Sequence, residues 1–184
     1  PIAVSAEHFV VRKLVVNRRN RKRGTIMANE QMPVKRYLDM AQTYAEARSG
    51  CLKVSVGSCI TDKHGRILSF GANAAIPNLC QFEGCLRIKK YGNNDKTHRG
   101  PADCRAIHSE VDAIAHLERS ARGGRIYVTR YPCEACARAI VAAGITEVYY
   151  GRKQYISEET EQIFAHNGVK SVQVASWDAP DAVN

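Results

Sequence analysis

From residue 125 to residue 176 the chain alternates strand-like and helix-like segments with little between them. No other feature restricts the fold as much. "RIYVTR" (125–130) reads as a strand, and "CEACARAIVAAG" (133–144) runs at helical spacing and closes at Gly144. "TEVYYG" (146–151) is a second strand, "SEETEQIFAHNG" (157–168) a helix with a capping Ser157 and an Asn-Gly stop, and "VKSVQVAS" (169–176) a third strand. Successive strand–helix–strand units make parallel strands with the helices packed on the sheet.

Upstream, "VKRYLDMAQTYAEAR" (34–48) puts Tyr37, Leu38, Ala41, Tyr44 and Ala45 on one helical face, and Ser49 and Gly50 end it. "KVSVGSCITD" (53–62) and "ILSFGANA" (67–74) flank a "KHGR" turn and predict a hairpin. Residues 76–107 show no clean period and hold three of the seven cysteines, so a functional or braced loop is expected there. "HSEVDAIAHLERSA" (108–121) predicts an amphipathic helix with Val111, Ile114, Ala115 and Leu117 apolar. The order α-β-β-loop-α-β-α-β-α-β predicts an α/β fold of three layers, a mixed five-stranded sheet with helices on both faces.

A chain of 184 residues has room for one domain with a real core. It carries no apolar run of about 18 residues and no signal-like start, and a cytoplasmic protein is the expectation. The net charge of +9 is concentrated at one end, where residues 1–26 hold seven Lys/Arg against Glu7. We read 1–26 as a basic, non-essential extension and 27–184 as a single domain with a cysteine-bearing insert at 76–107. The remaining 20 basic and 17 acidic side chains leave the body only mildly basic, which argues against nucleic acid as partner.

Seven cysteines, with Cys80/Cys85 and Cys133/Cys136 close in sequence, suit metal or thiol chemistry better than a disulfide framework. By itself "PCEAC" fits a redox pair, half of a structural zinc site, or most of a catalytic one. His108 opens one helix and Cys133 and Cys136 straddle the first turn of the next, and together they supply the three ligands of a catalytic zinc with one open position. A helix start favours thiolates, and Pro132 fixes the entry to it. Glu110, two residues from His108, is superfluous in a structural site and well placed to shuttle protons in a catalytic one. H-x-E followed by P-C-x-x-C is the zinc deaminase signature.

On these motifs the chain resembles the cytidine and deoxycytidylate deaminase family from about residue 34 to 175, most closely the bacterial and phage deoxycytidylate (dCMP) deaminases. "SGCLKVSVGSCITDKHGRILSFGANAAIP" looks like that family's opening hairpin, with Gly71-Ala72-Asn73 ending its second strand. "CQFEGC" followed by "CRAIHSE" resembles the cysteine-bearing insert, and "IYVTRYPCEACARAIVAAGITEVYYG" the second zinc motif. The resemblance implies zinc-dependent conversion of dCMP to dUMP and ammonia, which feeds thymidylate synthesis. His108, Cys133 and Cys136 would hold zinc, Glu110 would move protons, Asn73 would bond the sugar, and Ser109 would offer backbone contacts to the pyrimidine. The family usually has Ala where Ser109 stands and Asn where Asp112 stands. The resemblance also implies a homo-oligomer, commonly a hexamer, with dCTP and dTTP as effectors.

Arg87, Lys89, Lys90, Arg99, Arg105 and Arg119 are candidates for a phosphate, and Tyr149, Tyr150 and Tyr155 for stacking on a base. Arg119 is expected on the motif helix. Cys80, Cys85 and Cys104, with His98 as a fourth ligand, are candidates for a second, structural zinc; free thiols in a loop are the alternative. Cys51 and Cys59 read as small buried residues, and His64, His116 and His166 as turn or surface histidines. Two rival functions share parts of this pattern. A tRNA or single-stranded DNA deaminase would want an open groove with a basic rim, and a non-catalytic zinc-stabilised binding module would leave Glu110 unexplained.

Overall fold

A computed structural model describes residues 32–75, 79–93, 104–152 and 157–177, all within one compact unit, Gln31–Asn184. The basic segment 1–26, His98, Arg99 and Tyr155 lie outside the described residues. The elements in chain order are α1 (Val34–Arg48), β1 (Gly57–Thr61), β2 (Ile67–Ala72), β3 (Ala74–Ala75), α2 (Leu79–Glu83), α3 (Leu86–Tyr91), β4 (Ala106–Ile107) and α4 (Ser109–Ala115). They continue with β5 (Arg125–Arg130), α5 (Glu134–Ala142), β6 (Glu147–Arg152), α6 (Glu158–His166) and β7 (Lys170–Gln173). Among the described residues no helix is long and apolar enough to cross a membrane.

The main sheet has the order β2-β1-β5-β6-β7. β1 pairs antiparallel with β2 and β5, and β6 joins β5 and β7 in parallel, so the sheet is mixed. Side chains along a strand point alternately to the two faces. Register then lines Phe70, Cys59, Tyr127 and Tyr149 up across one face. They pack with Tyr37, Leu38 and Ala41 of α1 and with Trp177. Ile60, Ile126 and Val128, with Val148, point the other way, into a cluster with Ala113 of α4, Ala137 and Ile140 of α5, and Phe164 of α6. All five residues of β1 are buried because both faces are covered. Three layers result, and the expected α/β architecture is the one observed.

Two glycines let helix backbones touch the sheet. A Cβ at Gly57 would lie 1.9 Å from Ala41 O of α1. A Cβ at Gly71 would lie 2.1 Å from Ser109 O and 2.4 Å from Ala113 N of α4. Polar links hold α4 at this contact: Ser69 Oγ donates to Ala113 O at 2.8 Å, and Ala72 N donates to Asp112 Oδ2 at 3.0 Å. The start of α4 is therefore fixed relative to the sheet.

Three expectations need correction. The helix predicted over 108–121 ends at Ala115, so Arg119 is not on it. The apolar spacing continues to Leu117 and Ala121, which fill the core from irregular chain: the pattern marks burial there, not helicity. β1 begins at Gly57 instead of Lys53, because Asn73 and not a neighbouring strand takes up the polar groups of the preceding residues. The stretch predicted as loop contains α2, α3 and the two-residue β4, which pairs with β3 just ahead of that stretch. Each is too short to leave a period in the sequence.

Candidate active site

The site is assembled where two helices begin. His108 caps α4 in extended backbone (φ −76°, ψ 151°), placing Ser109 and Glu110 in the first turn. Cys133 caps α5 in the same way (φ −81°, ψ 172°) behind the buried Pro132, and Cys136 follows one turn on. Both helices pack on the same face through Ala113 and Ala137, so their first turns converge. His108 Nδ1 lies 3.4 Å from Cys133 Sγ and 3.4 Å from Cys136 Sγ. The three donor atoms lie within 4.8 Å of one another, and among the described residues no other group of three His, Cys, Asp or Glu draws so close.

The donor set fits zinc. Tetrahedral ligands at ~2.0–2.3 Å from an ion stand about 3.6 Å apart, close to the observed separation. Hydrogen bonds among the three groups shift their protonation. Cys136 hydrogen-bonds Cys133, which, helped by His108, pushes the Cys133 thiol down against the effect of its burial. Bonding to Cys133, together with burial, pushes Cys136 up. Hydrogen bonds to Cys104 and then to Cys133 hold the proton on His108. A dication entering this cluster would displace those protons.

Glu110 is 4% exposed, and burial raises its pKa, opposed by the charge of His108. Its Oε2 accepts from Ser109 Oγ at 3.1 Å. A buried carboxyl that holds its proton more tightly than usual, beside a metal-ready cluster, can take up and return a proton.

The structure treats the other candidates unequally. Asn73 is buried, and its amide holds the chain ahead of β1: Oδ1 accepts from Val56 N at 2.7 Å and Ser49 Oγ at 2.8 Å, while Nδ2 donates to Val54 O at 2.9 Å. Its second Nδ2 hydrogen has no hydrogen-bond partner among the described residues. Ser109 is fully buried. Arg105 is ion-paired with Glu83 at 2.5 Å, while Arg119 is exposed beyond the end of α4. Arg87, Lys89 and Lys90 lie on α3. Tyr149 is core, stacked on Tyr127 at 5.3 Å, and Tyr150 is buried with an edge contact to Tyr131 at 4.7 Å. Burial pushes the Cys59 thiol up to about 12, which makes it inert, and His64, His116 and His166 are exposed.

Cys51 differs from its expectation. It is half-buried and, with Cys85 and Cys104, near enough to raise the Cys80 thiol, though burial raises it more. Ser58 was missed altogether: it faces α4 from β1 and lies 2.7 Å from Ser109 Oγ. The available signal was a serine at the inward phase of "VSVGSCI", where Val56 and Ile60 are apolar.

The family model for the cytidine and deoxycytidylate deaminase zinc-binding region matches residues 31–152. ComE operon protein 2 of Bacillus subtilis is 34% identical over 141 residues, 73% of this chain and 68% of that protein. Deoxycytidylate deaminase of Saccharomyces cerevisiae is 29% identical over 151 residues, 80% of this chain but only 46% of the yeast protein. Among solved structures, the dCMP deaminase from the cyanophage S-TIM5, in complex with dCMP and dUMP, superposes with a TM-score of 0.61 at 21% identity, covering 79% of this chain and 100% of the phage chain, a likeness of fold. With the family model spanning most of the chain, this protein belongs to the cytidine and deoxycytidylate deaminase family.

Proposed function

We propose that this chain hydrolyses dCMP to dUMP and ammonia, with zinc held by His108, Cys133 and Cys136 and with Glu110 as the proton carrier, a step that feeds thymidylate synthesis. The observation that carries the reading is the convergence of one imidazole and two sulfurs beside a buried carboxylate. The names of the yeast and phage proteins support a cytosine nucleotide as substrate.

Zinc, when bound, supplies a Lewis acid that lowers the pKa of water toward ~7. Glu110 accepts one proton from the water whose oxygen attacks C4 of the ring and passes it to N3; it then takes that oxygen's remaining proton as the C4 carbonyl forms and gives it to the amine, which departs as ammonia. One carboxylate thus serves first as base and then as acid. Burial of Glu110 keeps bulk water from competing for that proton. The spare Nδ2 hydrogen of Asn73 is our candidate donor to the sugar, and the backbone of Ser109 our candidate contact to the pyrimidine. The phosphate is assigned to basic residues of the insert and to Arg119; Arg105 would have to exchange Glu83 for it.

A second, structural ion would be held by Cys80, Cys85 and Cys104, which would have to draw closer together than the structure places them. Its fourth ligand is His98, which lies outside the described residues, or Cys51, a neighbour of Cys80. Native mass spectrometry counts the ions: two per chain is expected, falling to one in Cys85→Ser. The remaining proposals follow the family: a cytoplasmic homo-oligomer, responsive to dCTP and dTTP, with residues 1–26 dispensable for catalysis.

Purified protein should release ammonia from dCMP and leave a cytosine-containing oligonucleotide untouched. Glu110→Gln should keep its zinc and lose at least ~10²-fold in kcat. A Glu110→Gln enzyme that still turns over at the wild-type rate would refute the assignment.

A further inference from the structure

The Glu110 carboxylate is tied to the central sheet through two hydroxyls. Ser58 Oγ of β1 lies 2.7 Å from Ser109 Oγ, and Ser109 Oγ lies 3.1 Å from Glu110 Oε2. Ser58 and Ser109 are both fully buried. An ionised carboxylate only accepts hydrogen bonds, so Ser109 spends its single proton on Glu110. Ser109 then meets Ser58 as an acceptor, so Ser58 donates. With Glu110 ionised, the form in which it takes a proton from water, the hydroxyls run Ser58 to Ser109 to Glu110.

Neither hydroxyl is explained by local structure. α4 has no side-chain cap bond, so Ser109 is not serving as a helix cap. Ser58 stands opposite Gly71 and Val128 in the sheet register, and its strand neighbours Cys59 and Ile60 are apolar core. An apolar side chain would fill that place without the desolvation cost of a buried hydroxyl. The bare backbone of Gly71 is what lets α4 come close enough for Ser58 to reach Ser109.

We propose that Ser58 and Ser109 are positioning residues that hold Glu110 by one carboxylate oxygen and leave the other oxygen for the proton it moves. Glu110 sits on the first turn of a seven-residue helix, and a glutamate side chain has several staggered rotamers among which its surroundings must choose. The hydroxyl chain, beside the hydrogen bond between Glu110 and Cys136, selects one of them and references it to β1, the most thoroughly buried strand of the sheet. The assignment deepens the deaminase reading and rests on it.

The test compares wild type, Ser109→Ala, Ser58→Ala and the double variant by kcat and KM for dCMP, by zinc content, and by crystal structure. A hydrogen bond to a charged group corresponds to a loss of about 10-fold or more when removed. The expected result is a kcat about 10-fold lower in Ser109→Ala, with KM within twofold and zinc unchanged. Ser58→Ala should lose less, and adding it to Ser109→Ala should change nothing, because the chain is already broken. In crystals of Ser109→Ala, Glu110 should occupy more than one rotamer. A kcat within twofold of wild type, independent effects of the two serines, or a Glu110 rotamer unchanged in Ser109→Ala would overturn the proposal. If Ser109→Ala does not fold, Ser58→Ala carries the same comparison. If the wild type deaminates no cytosine nucleotide, the deaminase reading fails, and the Glu110 rotamers still decide whether the hydroxyls position it.

Discussion

Asp62 shows how a single residue sets local structure at the turn between β1 and β2. Its Oδ1 accepts from His64 N at 2.8 Å and Arg66 N at 2.9 Å, and its Oδ2 pairs with Arg66 Nε at 2.7 Å. Burial pulls the carboxyl upward, but these donors and the guanidinium charge outweigh it and bring the pKa down to about 2, against 3.8 unperturbed. A depressed carboxyl contributes stability above its unfolded pKa and loses it as the pH falls through its folded one. Wild type should therefore lose a stabilising contribution between pH 4 and pH 2 that Asp62→Asn never had, and the two melting curves should converge there. Glu110 lies at the other extreme, with burial raising its pKa and few donors to offset it. Both carboxylates are plain in the sequence. What separates the two is the set of donors around each, and Ser58, 51 positions before Ser109, is marked in the sequence only by its inward phase between Val56 and Ile60.

At the level of elements, the contact between α4 and β2 decides whether the site exists. Gly71 leaves room for α4, and an added methyl would meet backbone at 2.1 Å. Backbone cannot swing aside as a side chain can. Gly71→Ala should destabilise the fold by about 3 kcal/mol in chemical denaturation, and should lower zinc affinity as well, since His108 rides on the start of α4. A variant of normal stability and normal zinc binding would show that α4 can shift without cost. The helix and strand order was legible because apolar spacing reports which face is buried. The ends of α4 and β1 were not, because tertiary partners set them: core packing beyond Ala115 and the Asn73 clamp before Gly57. The short α2 and α3 escaped for a different reason, being under two turns each.

The molecule as a whole brings its metal-ready cluster together from two crossover units on one face of the sheet. Hydrogen bonding within that cluster raises the pKa of His108 and, with burial, of Cys136, which favours a proton on each. Zinc must displace them, so its affinity should fall as the pH falls, most clearly in chelator competition at pH 5.5 against pH 8. Saturating zinc should also raise the melting temperature, since a ligand at 1,000 times its Kd adds about 4 kcal/mol to the folded state. An affinity independent of pH would mean that the ligands are already deprotonated. The sequence by itself determined the layers, the parallel second half of the sheet and the identity of the zinc-type donors, because periodicity and spacing are local and each helix start carries its own chemistry. Only the tertiary structure decided that His108 meets Cys133 across 25 residues, that Asn73 spends most of its amide on the chain before β1, and that a serine on β1 is linked through Ser109 to the Glu110 carboxyl. Which buried face meets which neighbour depends on helix approach and strand register, and one strand or helix considered alone contains neither.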